Sequence, residues 1–213
     1  PVSAVENYLK LILGGYVPDD KEEEILRKCI LRTEEERMLI ADLLELGHLE
    51  VLDPFQQEPV NLYSTLVKII NECREAAQEK RLNITLDADP SIPDMVCAPE
   101  QARSLWCNLI NNAIKYTPDN GELMISLSYQ DGEIKGRVSD TGIGIPAADQ
   151  ERIFSEFFRA RNAREEGIPG TGLGLAIVKR IIEGWGGKIA LESNIGRGTV
   201  INFTIPVLDR SLG

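Results

Sequence analysis

The apolar spacing of this chain changes character once, at Asp53-Pro54, and that change limits the folds open to it. Before the break, hydrophobic residues recur at helical intervals. Val2, Val5, Leu9, Ile12 and Leu13 form one such set, closed by Gly14-Gly15. A second, long helical segment follows Val17-Pro18-Asp19-Asp20, with Ile25, Leu26, Cys29, Ile30, Ile40, Leu43, Leu44 and Leu46 as its apolar positions. The acidic run 19–24 reads as a solvated helix start. A two-helix hairpin cannot enclose a core alone. Pairing with a second copy makes a four-helix bundle, so a homodimer is predicted; the alternative is packing onto the rest of the same chain. The division expected is a hairpin over residues 1–52 and a second domain over 53–210.

Beyond the break, helices and strands come in blocks. Residues 60–80 read as an amphipathic helix and 83–87 as a strand, with a loop at Pro90 and Pro93. Residues 100–116 read as a helix stopped by Thr117-Pro118. A hairpin over 122–129 and 133–140 turns at Asp131-Gly132. A helix over 174–183 and strands over 188–193 and 199–206 complete the pattern, which predicts an α+β two-layer sandwich.

Composition narrows the partners. Hydrophobic residues make up 43% of the chain, enough for a packed core, and the net charge of −11 repels nucleic acid and anionic membranes. A phosphate ligand therefore needs cations placed locally. Cys29, Cys73, Cys97 and Cys107 form no C-x-x-C pair, and the single histidine is His48, so reduced thiols in a cytoplasmic protein are expected. No apolar run reaches the length of a membrane span, although a longer parent protein could carry one.

Three constellations carry chemistry. On the 100–116 helix, Asn108, Asn112 and Lys115 share one stripe of an otherwise apolar surface. Asparagine is a poor helix former and needs partners when buried, so the stripe reads as amide oxygens and an ammonium facing a ligand, or as caps and water sites. At a strand end, Asp140-Thr141-Gly142-Ile143-Gly144-Ile145-Pro146 offers a carboxylate for an exocyclic amine and glycines that admit a flat ligand, or is a plain turn. Gly170-Thr171-Gly172-Leu173-Gly174-Leu175 opens a helix and offers N–H donors to phosphate; it matches neither a Walker A loop nor a dinucleotide fingerprint. Between them, residues 146–169 read as a lid anchored by Phe154, Phe157 and Phe158, with Arg159 its best cation for a γ-phosphate.

These motifs, in this order, resemble the nucleotide-binding boxes of sensor histidine kinases. Residues 108–116 look like the N box, 140–146 the G1 box, Phe154-x-x-Phe157-x-Arg159 the F box and 170–175 the G2 box. Residues 37–50 resemble the second helix of the dimerisation hairpin, and Pro1-Val2-Ser3-Ala4 the end of the H box, whose phosphate-accepting histidine falls a few residues upstream of Pro1. Departures are Trp185 before Gly186-Gly187, where histidine is frequent, and Ala98 in place of a capping aspartate. His48 is far from the H-box position and reads as exposed or structural.

The resemblance implies a Bergerat ATP-binding fold with a mixed sheet, ATP and magnesium as ligands, and a response-regulator receiver domain as partner. Asn112, helped by Asn108, would hold the metal. Lys115 and Arg159 would act on the phosphates, with Tyr116 near the nucleotide. Asp140 would read adenine, Gly142 and Gly144 would give it room, and Thr199 would join the water network around Asp140. Gly170, Thr171, Gly172, Leu173, Gly174 and Leu175 would wrap the phosphates. The chain would bind Mg-ATP yet not phosphorylate itself. The rivals are another ATPase of the same superfamily and a degenerate kinase that serves as a dimerising scaffold.

Overall fold

The computed structural model describes residues 2–50 and 57–207. Helix α1 (Val2–Leu13) ends where Gly15 turns left-handed, φ +68°, and the Tyr16 N–H reaches back to the Leu11 carbonyl at 3.0 Å. That closure satisfies end carbonyls and reverses the chain into α2 (Asp19–Glu50). Cys29 and Val17 are buried in the hairpin, but Ile30, Ile40, Leu43 and Leu44 stay exposed. The far half of α2 does pack on its own chain, because Leu39 and Leu46 join the main core. The expected boundary at 52/53 lies outside the described residues.

The helix expected over 60–80 starts later and is interrupted. Glu58–Val60 instead forms strand β1, paired antiparallel with β3 (Met95–Cys97). Asn61 then caps α3 (Leu62–Glu72) by accepting from the Ser64 N–H at 3.0 Å. After Cys73 the chain resumes as α4 (Arg74–Glu79).

Five strands make the main sheet: β2 (Asn83–Ala88), β4 (Glu122–Gln130), β5 (Glu133–Asp140), β6 (Lys188–Asn194) and β7 (Gly198–Pro206). Their order is β2-β4-β5-β7-β6, with β2 parallel to β4 and the other pairs antiparallel, so the sheet is mixed as expected. Asp131 and Gly132 both take positive φ, which suits the two-residue turn between β4 and β5.

Helices α3, α5 (Pro99–Tyr116) and α8 (Gly174–Gly184) cover one face. Trp106 and Phe203 meet in the core at 5.6 Å between centroids, and the indole N–H is satisfied by the Leu62 carbonyl. Gly136 is required there, since a Cβ would fall 2.1 Å from the Phe203 ring. Ala98 gives α5 no side-chain cap, as its sequence suggested. The other end of α5 is held by Lys80, whose Nζ donates to the carbonyls of Ile114, Lys115 and Thr117 at 2.8–2.9 Å. A cation on the last carbonyls of a helix is favourable, and here it fixes the stretch that carries Lys115 and Tyr116.

The 146–169 stretch is more ordered than a bare loop. It holds two short helices, α6 (Ala147–Gln150) and α7 (Arg161–Glu165), over a small cluster of Ile153, Ala160 and Ala163. Phe154 and Phe158 pack against that cluster. Phe157, expected as a third anchor, is 57% exposed at φ +60°.

Candidate functional site

A cavity of about 360 Å³ opens between α5, the loop after β5, the 146–169 segment and the start of α8. Its size falls in the range of small-ligand sites, roughly 300–1,000 Å³. Asn108, Asn112, Lys115, Tyr116, Asp140, Gly144, Arg159, Gly170, Thr171, Gly172, Gly174, Leu175 and Thr199 line it. Of the residues singled out from sequence, Gly142 and Leu173 stand outside the lining. Leu173 is fully buried in the main core, and its N–H bonds the Thr171 hydroxyl at 3.2 Å. Gly142 is a close-approach position, where a Cβ would lie 2.6 Å from the Tyr116 carbonyl oxygen.

One end of the cavity is built by the sheet. Asp140 ends β5 opposite Thr199 of β7. Its Oδ1 accepts from the Gly142 N–H at 2.8 Å and the Thr199 N–H at 3.1 Å. Oδ2 has no partner among the described residues. Burial raises the Asp140 pKa, and the two backbone bonds oppose that rise. The Thr199 hydroxyl meets Ser193 Oγ at 2.9 Å, and the same Oγ accepts from the Ile145 N–H at 2.8 Å. This end is therefore a closed network around one available carboxylate oxygen, walled by Val138, Ile143 and Ile201.

The other end carries cations. Lys115 lies over the Tyr116 ring at 4.8 Å, and burial, followed by the nearby Arg159 charge, draws its pKa down to about 8. The Asp42 carboxylate acts in the opposite direction. Burial also raises the Tyr116 pKa, so that phenol stays protonated. Arg159 donates to the Ile168 carbonyl, while its Nε is buried without a hydrogen-bond partner. A buried unpaired donor on a cation is costly unless an anion arrives.

Between the ends runs the asparagine stripe. Asn108 donates back to the Ser104 carbonyl at 3.1 Å, and its Oδ1 abuts Gly174, where a Cβ would fall 2.6 Å away. Asn112 makes no side-chain hydrogen bond among the described residues, leaving its carboxamide to the cavity. The glycines bring α8 close: Gly170 (φ +155°) leaves room for Lys115 Nζ, and Gly172 (φ +78°) lies against the backbone of Phe157 and Phe158. Among the described residues there is no group of three or more His, Cys, Asp or Glu placed to hold a metal.

Lining residues not singled out from sequence include Met38 and Asp42 of α2, Asn111 of α5 and Asn162 of α7. Asp42 Oδ2 accepts from the Thr171 hydroxyl, and Glu45, one turn on, bonds Ser104. The long helix is thus docked at the Lys115–Arg159 end. Met38 and Asp42 are four apart on one helical face, which is the only sequence signal they give. The His48 side chain lies outside the described residues.

Comparison with known proteins agrees with this geometry. Residues 97–209 match the family described as histidine kinase-, DNA gyrase B-, and HSP90-like ATPase. The adaptive-response sensory kinase SasA of Prochlorococcus marinus (strain AS9601) is 30% identical over 194 residues, 91% of this chain and 51% of that protein. The sensor-like histidine kinase SenX3 of Mycolicibacterium smegmatis is 31% identical over 207 residues, 97% of this chain and 54% of that protein. The histidine kinase ThkA, solved in complex with the response regulator protein TrrA, shares the fold with a TM-score of 0.71 at 24% identity, over 97% of this chain and 59% of that one. The chain belongs to this ATPase family, on its sensor histidine kinase branch. It spans about half the length of the curated relatives it matches.

Proposed function

We propose that this chain is the catalytic core of a sensor histidine kinase: it binds Mg-ATP and presents the γ-phosphoryl to a histidine, for relay to an aspartate of a response-regulator receiver domain. The observation that carries the reading is the polarity of the cavity. One end offers a lone carboxylate oxygen of Asp140; the other holds Lys115 and the unpaired Nε of Arg159. An adenine amine and a triphosphate have that same polarity.

In this reading Asp140 Oδ2 accepts from the exocyclic amine, with Gly142 and Gly144 keeping the backbone thin beside the base. Asn112, flanked by Asn108, supplies a hard amide oxygen of the kind Mg²⁺ takes alongside phosphate oxygens. Lys115 and Arg159 neutralise charge on the outer phosphates, and Thr171, Gly172 and Gly174 line their path to the start of α8. The catalytic contribution of the chain is positioning and charge neutralisation.

The apolar stripe left exposed on α1 and α2 supports a homodimer through a four-helix bundle. The ThkA–TrrA complex supports a receiver domain as partner. Among the described residues no helix is long and apolar enough to cross a membrane, which is compatible with the cytoplasmic location proposed. The resemblance puts the acceptor histidine upstream of Pro1, so the polypeptide 1–213 is expected not to label itself.

The test is incubation with γ-labelled ATP of this chain alone and of a longer form bearing the upstream helix. Acid-labile label on the longer form, transferred to a receiver domain, is the expected result. Label retained by residues 1–213 alone, or release of free phosphate with no protein label in either form, contradicts the reading.

A further inference from the structure

Asn162 lies in α7, on the segment that also carries Arg159, and its side chain crosses to the loop that follows Asp140. Its Nδ2 donates to the Gly144 carbonyl at 2.8 Å. That bond fixes the amide orientation, because the oxygen placed there would face another oxygen. The remaining Oδ1 is buried, has no hydrogen-bond partner, and belongs to a residue that lines the cavity. A buried amide oxygen without a donor is costly, and a ligand that supplies one gains from it.

The chemistry of the missing donor can be narrowed, on the reading that the cavity takes ATP. An amide oxygen only accepts. Ionised phosphate oxygens also only accept, so they cannot satisfy it. One N–H of the exocyclic amine is matched to Asp140, and the N6,N6-dimethyl comparison below reads whether the other reaches Asn162. Asn162 is tied to the loop four residues beyond Asp140 and sits three residues beyond Arg159, so it bridges the base-reading and phosphate-facing ends. The part of a nucleotide that lies between base and phosphate, and that carries O–H donors, is the pentose. We infer that Asn162 is a sugar-reading residue: its Oδ1 accepts a hydrogen bond from a ribose hydroxyl and makes the site prefer ribonucleotides to deoxyribonucleotides.

The test is equilibrium binding of ATP, 2′-deoxy-ATP and 3′-deoxy-ATP, with Mg²⁺, to the whole chain and to its Asn162→Leu and Asn162→Ala variants. The unaltered chain is expected to bind ATP more tightly than one of the deoxy analogues by about five- to tenfold, the worth of one neutral hydrogen bond. Both variants are expected to bring that ratio close to one, while the preference for ATP over an N6,N6-dimethyl analogue, read by Asp140, stays.

Losing the bond to Gly144 lowers affinity for every nucleotide alike, so the ratio is the readout. A variant that weakens all ligands equally and keeps the sugar preference overturns the inference and leaves Asn162 as a latch. So does an unaltered chain that binds ATP and both deoxy analogues equally, a measurement that needs no variant to fold. A chain that binds none of them overturns the ATP reading itself.

Discussion

The two ends of the cavity are built on opposite principles. At the Asp140 end the backbone does the work. Two N–H groups hold one carboxylate oxygen, Ser193 ties three neighbours together, and tight backbone approaches at Gly144 and Gly198 leave no slack. At the Lys115–Arg159 end the side chains do it, and charge is left unbalanced: a lysine with its pKa drawn to about 8, an arginine with an unpaired nitrogen, and Asp42 brought in from a distant helix. The first end is finished before any ligand arrives. The second is completed by an anion. On the proposed ATP reading, rigid base recognition and adaptable phosphate handling would follow from that difference.

The largest expected effect breaks the rigid end. Gly144→Ala puts a Cβ 2.0 Å from the Asn194 carbonyl oxygen at φ +68°, where both neighbours are backbone and cannot yield. It should destabilise the fold by about 2–3 kcal/mol, read as a lower denaturant midpoint with unchanged slope. Gly170→Ala at the other end shares the backbone strain of a positive φ, +155°, but its close contact is the flexible tip of Lys115 and not backbone. It should destabilise the fold less than Gly144→Ala and, by displacing Lys115, should also weaken ATP binding.

Next in size, Lys115→Met or Arg159→Met should weaken ATP binding by about tenfold to a hundredfold, the worth of a hydrogen bond to a charged group. Adenosine binding should hardly change. Asp140→Ala should reverse the pattern and weaken ATP and adenosine together. Titration calorimetry with both ligands reads all three variants.

A smaller effect is a pH dependence confined to the phosphate end. Bound phosphate raises the pKa of Lys115 above its free value of about 8. Above that pH the free protein must take up a proton to bind, so ATP affinity should fall as pH rises past 8, by at most about tenfold per unit. Adenosine should show no such slope, and Lys115→Met should abolish it. The smallest change is expected from Asp42→Asn. It keeps an acceptor for Thr171 and removes a negative charge near the phosphates, so ATP should bind about two- to fivefold more tightly, an effect that salt diminishes.

What could be read from sequence follows the same division. Asparagines on an apolar helix, a carboxylate at a strand end and alternating glycines are chemically out of place, and the structure gathers those elements around one cavity. Residues brought in by long-range packing gave no such sign. Asp42 is an ordinary polar residue of a charged helix until α2 docks on Thr171. Asn162 fell within the stretch read as a lid, with nothing to single it out until α7 placed it against Gly144. Among the elements, β1 and β3 were missed because three-residue strands carry no periodicity, and Val60 was read into a helix that Asn61 in fact caps one residue later. Leu173 was read as part of a phosphate loop because of its glycine neighbours; its side chain belongs to the core and pins the loop from beneath.

The most direct test of one cavity with two unlike ends is a crystal structure of this chain with Mg²⁺ and a non-hydrolysable ATP analogue. The account predicts the adenine amine on Asp140 Oδ2 and phosphate oxygens on Lys115 Nζ and Arg159 Nε. A nucleotide bound with its base toward Arg159, or on another face of the molecule, contradicts it.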